Sequence, residues 1–99
     1  MPTIQKMTLK PADELGPVLT SRGRAAVLRA EIERALSAGE DVEVDLTGTA
    51  TVSPSFADEL FGKLAEHADN ERLQFTNVPR TIEPLIRFVV DGRRGPLPA

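Results

Sequence analysis

The chain of 99 residues has no cysteine, no tryptophan and no tyrosine, and its one histidine is His67. Without cysteine it can form no disulfide, no thiolate nucleophile and no zinc site built on sulfur. A single histidine adds too little for a metal site of another kind, so we expect neither a metal nor a cofactor. The four phenylalanines are too few for the stacking platforms that bind single-stranded nucleic acid.

The chain also lacks an excess of positive charge and any long apolar segment. Its formal net charge is −3, whereas nucleic-acid binding relies on a basic surface, so we expect no nucleic-acid partner. No apolar run approaches the roughly 20 residues that span a bilayer, and the N-terminus lacks the charged-then-apolar pattern of a leader. We therefore expect a cytoplasmic protein that does not enter a membrane.

Length and hydrophobic content fit one compact domain. The 40% of hydrophobic residues can fill one core, and 99 residues leave no room for a second. Glycine can end a helix, and residues 92–99 are rich in glycine, proline and arginine. We expect a single domain over residues 1–92 and a flexible C-terminal tail over residues 93–99.

Hydrophobic periodicity predicts a small α/β domain with about four strands and three main helices. The predicted strands are residues 3–9, 41–46 and 73–75, and residues 18–19 form either a further strand or a packed loop. The predicted helices are residues 21–37, 54–68 and 81–92. Strands that alternate with helices favour a mostly parallel or mixed sheet, with one face covered and the other partly open.

The most informative segment, residues 42–64, reads as a strand, a polar turn and an amphipathic helix. Pro54 suits the first helical position, which makes Ser53 the predicted N-cap and Ser55 the rival cap. The free N–H groups of a helix N-terminus favour an anion, a phosphate or the carboxylate of a partner. We predict partner binding, or phosphorylation of a serine, at Ser53, Ser55, Phe56, Asp58 and Glu59.

The adjacent carboxylates Asp58 and Glu59 are not predicted to be catalytic. Neighbours on a helix point about 100° apart and cannot share one substrate atom, and no nucleophile and base pair is recognisable, so we expect no enzyme. A structural interpretation fits better, in which one of these carboxylates meets Arg22 at the start of the first helix. Asp45, at the carboxyl end of a strand, is the second predicted structural support.

Phe56 and Phe88 fall less neatly on the apolar stripes than the other core candidates. We expect both in the core, because phenylalanine is usually buried. A phenylalanine exposed beside the serine turn would instead be a natural anchor for a partner.

Three segments carry a resemblance to a known family: Gly16-Pro-Val-Leu-Thr-Ser-Arg-Gly-Arg-Ala25, Val-Asp-Leu-Thr-Gly48 and Ser-Pro-Ser-Phe-Ala-Asp-Glu-Leu-Phe-Gly62. Over residues 16–90 the chain resembles the bacterial STAS-like domain family of unknown function. That family is similar to the STAS fold of anti-sigma factor antagonists, in which a kinase with a GHKL-type ATP-binding domain phosphorylates a serine at a helix N-terminus. In the antagonists that helix begins with Asp-Ser-Ser-Gly. Here Ser53 takes the acidic position and Pro54 the phosphoacceptor position, unless the register shifts to Ser55.

The residues and the resemblance together predict a non-enzymatic regulatory module that binds another protein through residues 53–59. The resemblance implies a GHKL-type ATPase or a sigma-factor regulator as the partner. The alternative is a small nucleotide- or anion-binding domain that uses the same helix N-terminus, although no glycine-rich phosphate loop supports it. Self-association as a homo-oligomer is left open.

Overall fold

The computed structural model describes residues 6–66 and 72–94. The predicted helix end at Ala68, His67 and residues 95–99 of the predicted tail lie outside these ranges. The elements in chain order are β1 (Lys6–Leu9), α1 (Pro11–Leu15), β2 (Val18–Leu19), α2 (Arg22–Ser37), β3 (Asp41–Asp45), β4 (Thr51–Val52), α3 (Pro54–Ala57), a π-helical turn (Asp58–Gly62), α4 (Lys63–Glu66), β5 (Leu73–Thr76) and α5 (Glu83–Arg94). The segments α3, π-helical turn and α4 follow one another without a break, and together we call residues 54–66 the composite helix.

The described strands form two parallel groups. In the larger sheet β3 lies between β1 and β5, and both of its neighbours run parallel to it. The strands β2 and β4 form a separate parallel pair, which resolves residues 18–19 as a strand. Helices lie in the connections that parallel strands require, so the predicted α/β class with a mostly parallel sheet is confirmed.

The central strand β3 separates an apolar face from a polar one. Its residues Val42 and Val44 are buried, as is Leu46 just beyond the strand, whereas Glu43 on the opposite face is only half-buried. On that polar face Lys6 Nζ lies 2.8 Å from Glu43 Oε1, and Thr76 donates to Glu43 Oε2 at 2.7 Å. Period-two alternation thus puts the valines in the core and leaves a partly exposed polar surface, as the sequence predicts.

Three helices bury apolar stripes in one core. Phe61 of the composite helix meets Phe75 of β5 edge to face, with ring centroids 5.0 Å apart. The stripe of α2 is the one that three- and four-residue spacing predicts. The buried residues of the three helical regions are Ala25, Leu28, Ile32, Ala35 and Leu36 of α2, Phe56, Ala57, Leu60, Phe61 and Leu64 of the composite helix, and Ile82, Ile86 and Val89 at α5.

The last helix is longer than the sequence predicts. It continues past Gly92 to Arg94, two residues beyond the predicted helix end. Arg93 explains the extension, because its guanidinium donates to Asp58 and to Glu66 of the composite helix. These bonds stabilise the final turn enough to offset the roughly 1 kcal/mol that a helical glycine costs relative to alanine.

Gly62 lets α5 approach the composite helix closely. A Cβ atom at this position would lie 2.9 Å from Asp58 Oδ1, 3.1 Å from Arg93 Cγ and 3.4 Å from the carbonyl oxygen of Val89. Two of these three atoms belong to α5, so the close approach at Gly62 is between the composite helix and α5.

We expect Gly62→Ala to lower the free energy of unfolding by about 1 kcal/mol. Overpacking costs about 1–3 kcal/mol, which exceeds the helix propensity gained of about 1 kcal/mol. The matched control is Gly92→Ala, where a Cβ would meet nothing within 4 Å and the same propensity gain should raise stability. Urea denaturation measures both variants, and equal shifts of the two would contradict the close approach at Gly62.

Candidate functional site

The turn between β4 and the composite helix is held by Ser53. Its Oγ accepts a hydrogen bond from the backbone N–H of Phe56 at 3.1 Å and donates to the carbonyl oxygen of Thr20 at 3.2 Å. Ser55 Oγ lies 3.1 Å from Ser53 Oγ. Ser53 is therefore the N-cap, as Pro54 at the next position predicts, and it also joins the turn to the start of α2.

A groove lies beside this turn, between the composite helix and α5. We call it the serine groove, and its volume is about 500 Å³. Its apolar wall comes mainly from α5, and its polar wall comes from the starts of α2 and the composite helix. The lining residues are Arg22, Pro54, Ser55, Asp58, Phe88, Val89, Gly92 and Arg93.

Glu59 is a buried carboxylate that contacts three cations. Only 4% of its surface is exposed. Its Oε1 accepts from Arg22 Nη1 at 3.0 Å and lies 3.0 Å from Lys63 Nζ. Its Oε2 accepts from Arg29 Nε at 3.2 Å and Nη2 at 3.0 Å. We call Glu59 and these cations the Glu59 cluster; it ties two turns of α2 to the composite helix.

Asp58 points to a different helix. Arg93 of α5 donates from Nε to Asp58 Oδ1 at 3.0 Å and from Nη2 to Oδ2 at 2.7 Å, which is a bidentate pair. Arg22 Nη1 lies 3.7 Å from Asp58 Oδ2. The contact that the sequence predicts between Arg22 and the acidic pair is therefore present with both carboxylates.

The cations hold both carboxyl groups in the charged form. Burial alone raises the pKa of Glu59, but the hydrogen bonds from Lys63, Arg22 and Arg29 outweigh it and the net shift is downward. The pKa of Asp58 is lowered chiefly by its hydrogen bonds from Arg93, and the pKa of that guanidinium is raised in turn. Both acids are thus neutralised within the molecule.

Burial changes the predicted partner surface. Phe56 is 0% exposed and packs in the core, and Glu59 is enclosed by its cations, so neither can contact a partner directly. Ser53 is occupied as the cap and Asp58 is engaged by Arg93. Of the five predicted contact residues, Ser55 is the one that lines the groove without a bond to α2 or α5 among the described contacts.

Phe88 is the main residue that sequence reasoning misplaces. Its predicted burial is wrong, because 76% of its surface is exposed, the largest value among the exposed large hydrophobic side chains of the described residues. It lies on the wall of the serine groove, beside the serine turn. Phe88 therefore fits the alternative expectation of an exposed phenylalanine that could anchor a partner.

Asp45 supports a neighbouring turn and does not line the groove. Its Oδ1 accepts from the backbone N–H and the hydroxyl of Thr47, at 2.9 and 2.6 Å, and from Asn77 Nδ2 at 3.0 Å. These bonds lower its pKa to about 2, with the Thr47 hydroxyl as the largest cause. Asp45 therefore fastens the turn after β3 to the end of β5, which is a structural role.

The sequence did not predict that three of the cations, Lys63, Arg29 and Arg93, pair with Asp58 or Glu59. Lys63 follows Glu59 by four residues and Arg29 follows Arg22 by seven, so helical spacing could have placed both on the facing surfaces. Arg93 carried no such signal, because the pattern assigned it to the tail.

Neither a metal-binding cluster nor a membrane-spanning helix is present in the described part of the chain. Among residues 6–66 and 72–94, no group of three or more histidine, aspartate or glutamate side chains is arranged to hold a metal ion. Within the same ranges, no helix is both long enough and apolar enough to cross a membrane.

Comparison with known protein families gives a match. A family model described as a STAS-like domain of unknown function matches residues 24–83, which is more than half of the chain. The match includes the composite helix but ends where α5 begins, so Phe88 and Arg93 lie outside it. No curated protein and no solved structure matches the chain.

We expect Glu59→Gln to lower the free energy of unfolding at neutral pH by about 2 kcal/mol. Removing one charge from a buried ion pair typically costs about 3–5 kcal/mol, and the partly exposed cations here can be rehydrated, which reduces the loss. The control is Glu14→Gln at an exposed glutamate of α1, for which a change below about 0.5 kcal/mol is expected. Chemical denaturation gives both values.

The pH dependence of the same variant has a defined sign. Because the folded-state pKa of Glu59 lies below its ordinary value of 4.5, the unfolded chain binds the proton more tightly. The stability contributed by Glu59 is present above that ordinary value and is lost as the pH falls through the folded-state pKa. The wild type should therefore lose more stability on acidification than Glu59→Gln, and identical pH profiles would contradict the Glu59 cluster.

Proposed function

The chain belongs to the family of STAS-like domains of unknown function, and from that premise we propose that it is a cytoplasmic, non-catalytic regulatory module that binds another protein through the serine groove. STAS-like domains are generally non-catalytic. The groove combines the features of a protein-binding surface, with an apolar anchor next to polar groups.

The observation that carries the proposal is the exposure of Phe88. Fully burying a phenylalanine side chain is worth about 1.5–3 kcal/mol, and this chain leaves most of that ring in water. Pro54, which is exposed and lines the same groove, adds apolar surface to that of the ring. Aromatic side chains surrounded by weaker contacts are the usual energetic centres of protein interfaces.

Internal neutralisation of the acidic pair supports the same function. Asp58 and Glu59 are paired with cations of their own chain, so a partner that approaches Ser55 does not meet two free carboxylates. Two guanidinium groups and one carboxylate line the groove, which makes its lining net positive. The guanidinium groups of Arg22 and Arg93 are already engaged, and we therefore do not extend the proposal to a nucleotide ligand.

By resemblance to the anti-sigma factor antagonists, the partner that we propose is a GHKL-type ATPase or a sigma-factor regulator. The groove lies at the N-terminus of the composite helix, which by the same resemblance would be the regulated helix. Phosphorylation of a groove residue would then add charge inside the contact.

We expect capture of a partner to depend on Phe88. Tagged wild type, Phe88→Ala and Val27→Ala are used to capture proteins from the native host, and the purified partner is titrated calorimetrically with each variant. Val27 is a matched control, because it is 60% exposed but lies on α2 outside the serine groove. Phe88→Ala should weaken binding at least about tenfold, since an aromatic anchor typically contributes about 2 kcal/mol or more.

The Val27→Ala variant should bind as the wild type does. Equal binding by Phe88→Ala and wild type, or the absence of any captured partner, would contradict the proposed interface.

We expect any regulatory phosphate to be on Ser55 and not on Ser53. The Ser53 hydroxyl caps the helix and bonds Thr20, and losing such a cap costs about 1 kcal/mol, whereas Ser55 lines the groove. Phosphopeptide mapping of the protein isolated from its native host tests this. A phosphate on Ser53 would contradict it.

A further inference from the structure

The outer face of α5 is a continuous exposed stripe with an ordered arrangement of charge. Its residues recur at the three- and four-residue spacing of one helical face. Phe88 lies near the middle of the stripe, and the opposite face of the helix is buried through Ile86 and Val89. The exposed residues are Pro84, Arg87, Phe88, Asp91 and Gly92.

We propose that this stripe binds a second copy of the chain, with the two α5 helices antiparallel about a twofold axis. Arg87 and Asp91 are one turn apart on the same edge of the stripe. When the twofold axis is perpendicular to the plane that contains both helices, this edge of each helix lies on the same side of the pair. This arrangement therefore sets Arg87 of each copy against Asp91 of the other, which gives two equivalent ion pairs.

The register follows from helix geometry. Arg87 and Asp91 are separated by about 6 Å along the helix, so the twofold axis passes at the level of Val89 midway between them. The two Phe88 positions are then offset by about 3 Å along the helix axis, and an offset arrangement is one that aromatic pairs prefer. The same register thus pairs Arg87 with Asp91 and brings the two exposed Phe88 rings together.

The charges of the stripe identify the occupant. A helix that binds a membrane surface typically carries basic residues along its edges. This stripe instead carries opposite charges, in the order that an antiparallel copy complements. Arg87 Nη2 already lies 2.8 Å from Glu83 Oε1 of its own helix, so in the dimer this guanidinium sits between two carboxylates. Gly92 leaves open space beside its backbone, which allows the second helix to approach.

The proposed dimer rests on the proposed function, because the dimer and the partner complex both use Phe88. A second copy on α5 covers part of the serine groove, so the dimer and the partner complex compete. One helix face is smaller than the roughly 800 Å² per subunit of a standard interface, so the dimer is expected to be weak and to form at high protein concentration.

Sedimentation velocity tests the proposal with the wild type and five variants. Because the interface is small, protein concentrations reach about 500 μM. Phe88→Ala should weaken dimerisation at least about tenfold, whereas the exposed control Val27→Ala should not. The single reversals Arg87→Asp and Asp91→Arg each set like charges opposite one another and should weaken the dimer about tenfold. The double variant Arg87→Asp/Asp91→Arg restores opposite charges and should recover the wild-type association.

Each outcome supports or overturns the proposal. A wild type that stays monomeric, or that dimerises equally well with Phe88→Ala, overturns the α5 interface. Failure of the double variant to recover association overturns the antiparallel register. Circular dichroism confirms that each variant is folded. Partner titration is made at concentrations where the chain is monomeric. If the chain does not dimerise but still binds its partner through Phe88, the dimer is refuted and the proposed function remains intact.

Discussion

The buried carboxylate of Glu59 is the constraint around which the helices are arranged. A carboxylate removed from water is strongly destabilising unless cations and hydrogen bonds compensate it. Here Arg22 and Arg29 come from α2 and Lys63 comes from the next turn of the composite helix. These contacts require α2 to start beside the serine turn, and the adjacent Asp58 pair with Arg93 requires α5 to lie along the other side.

Adjacent helical residues point about 100° apart, and this separation has two consequences. It prevents Asp58 and Glu59 from acting on one substrate atom, and it lets each carboxylate hold a different helix. Both acids lie in the π-helical turn, a type of local widening that is often found at functional sites. With the acids satisfied internally, the groove beside Ser55 presents Phe88 as its main apolar contact. The interaction function that we propose follows from that division between paired charge and exposed ring.

Local patterns were sufficient for much of the fold. The apolar spacing of α2, the alternation of β3 and the Ser53 cap each depend on residues within a few positions of one another. Contacts between segments that are far apart in the sequence were harder to predict. The role of Arg22 was predictable, because two helix N-termini meet at one edge of a parallel sheet. The extension of α5 through Gly92 was not, because it depends on Asp58, 35 residues before Arg93. The exposure of Phe88 was missed for the related reason that burial is decided by what packs on α5.

Glu59 is ionised and is held by three cations inside the fold. A carbon-detected NMR titration that follows the side-chain carboxyl of Glu59 tests this directly, since it reports the protonation of that group and no other. We predict a pKa below the ordinary value of 4.5, reached without earlier loss of the folded spectrum. A pKa at or above 4.5 would mean that burial outweighs the cations, and it would contradict the Glu59 cluster and the placement of α2 beside the serine turn.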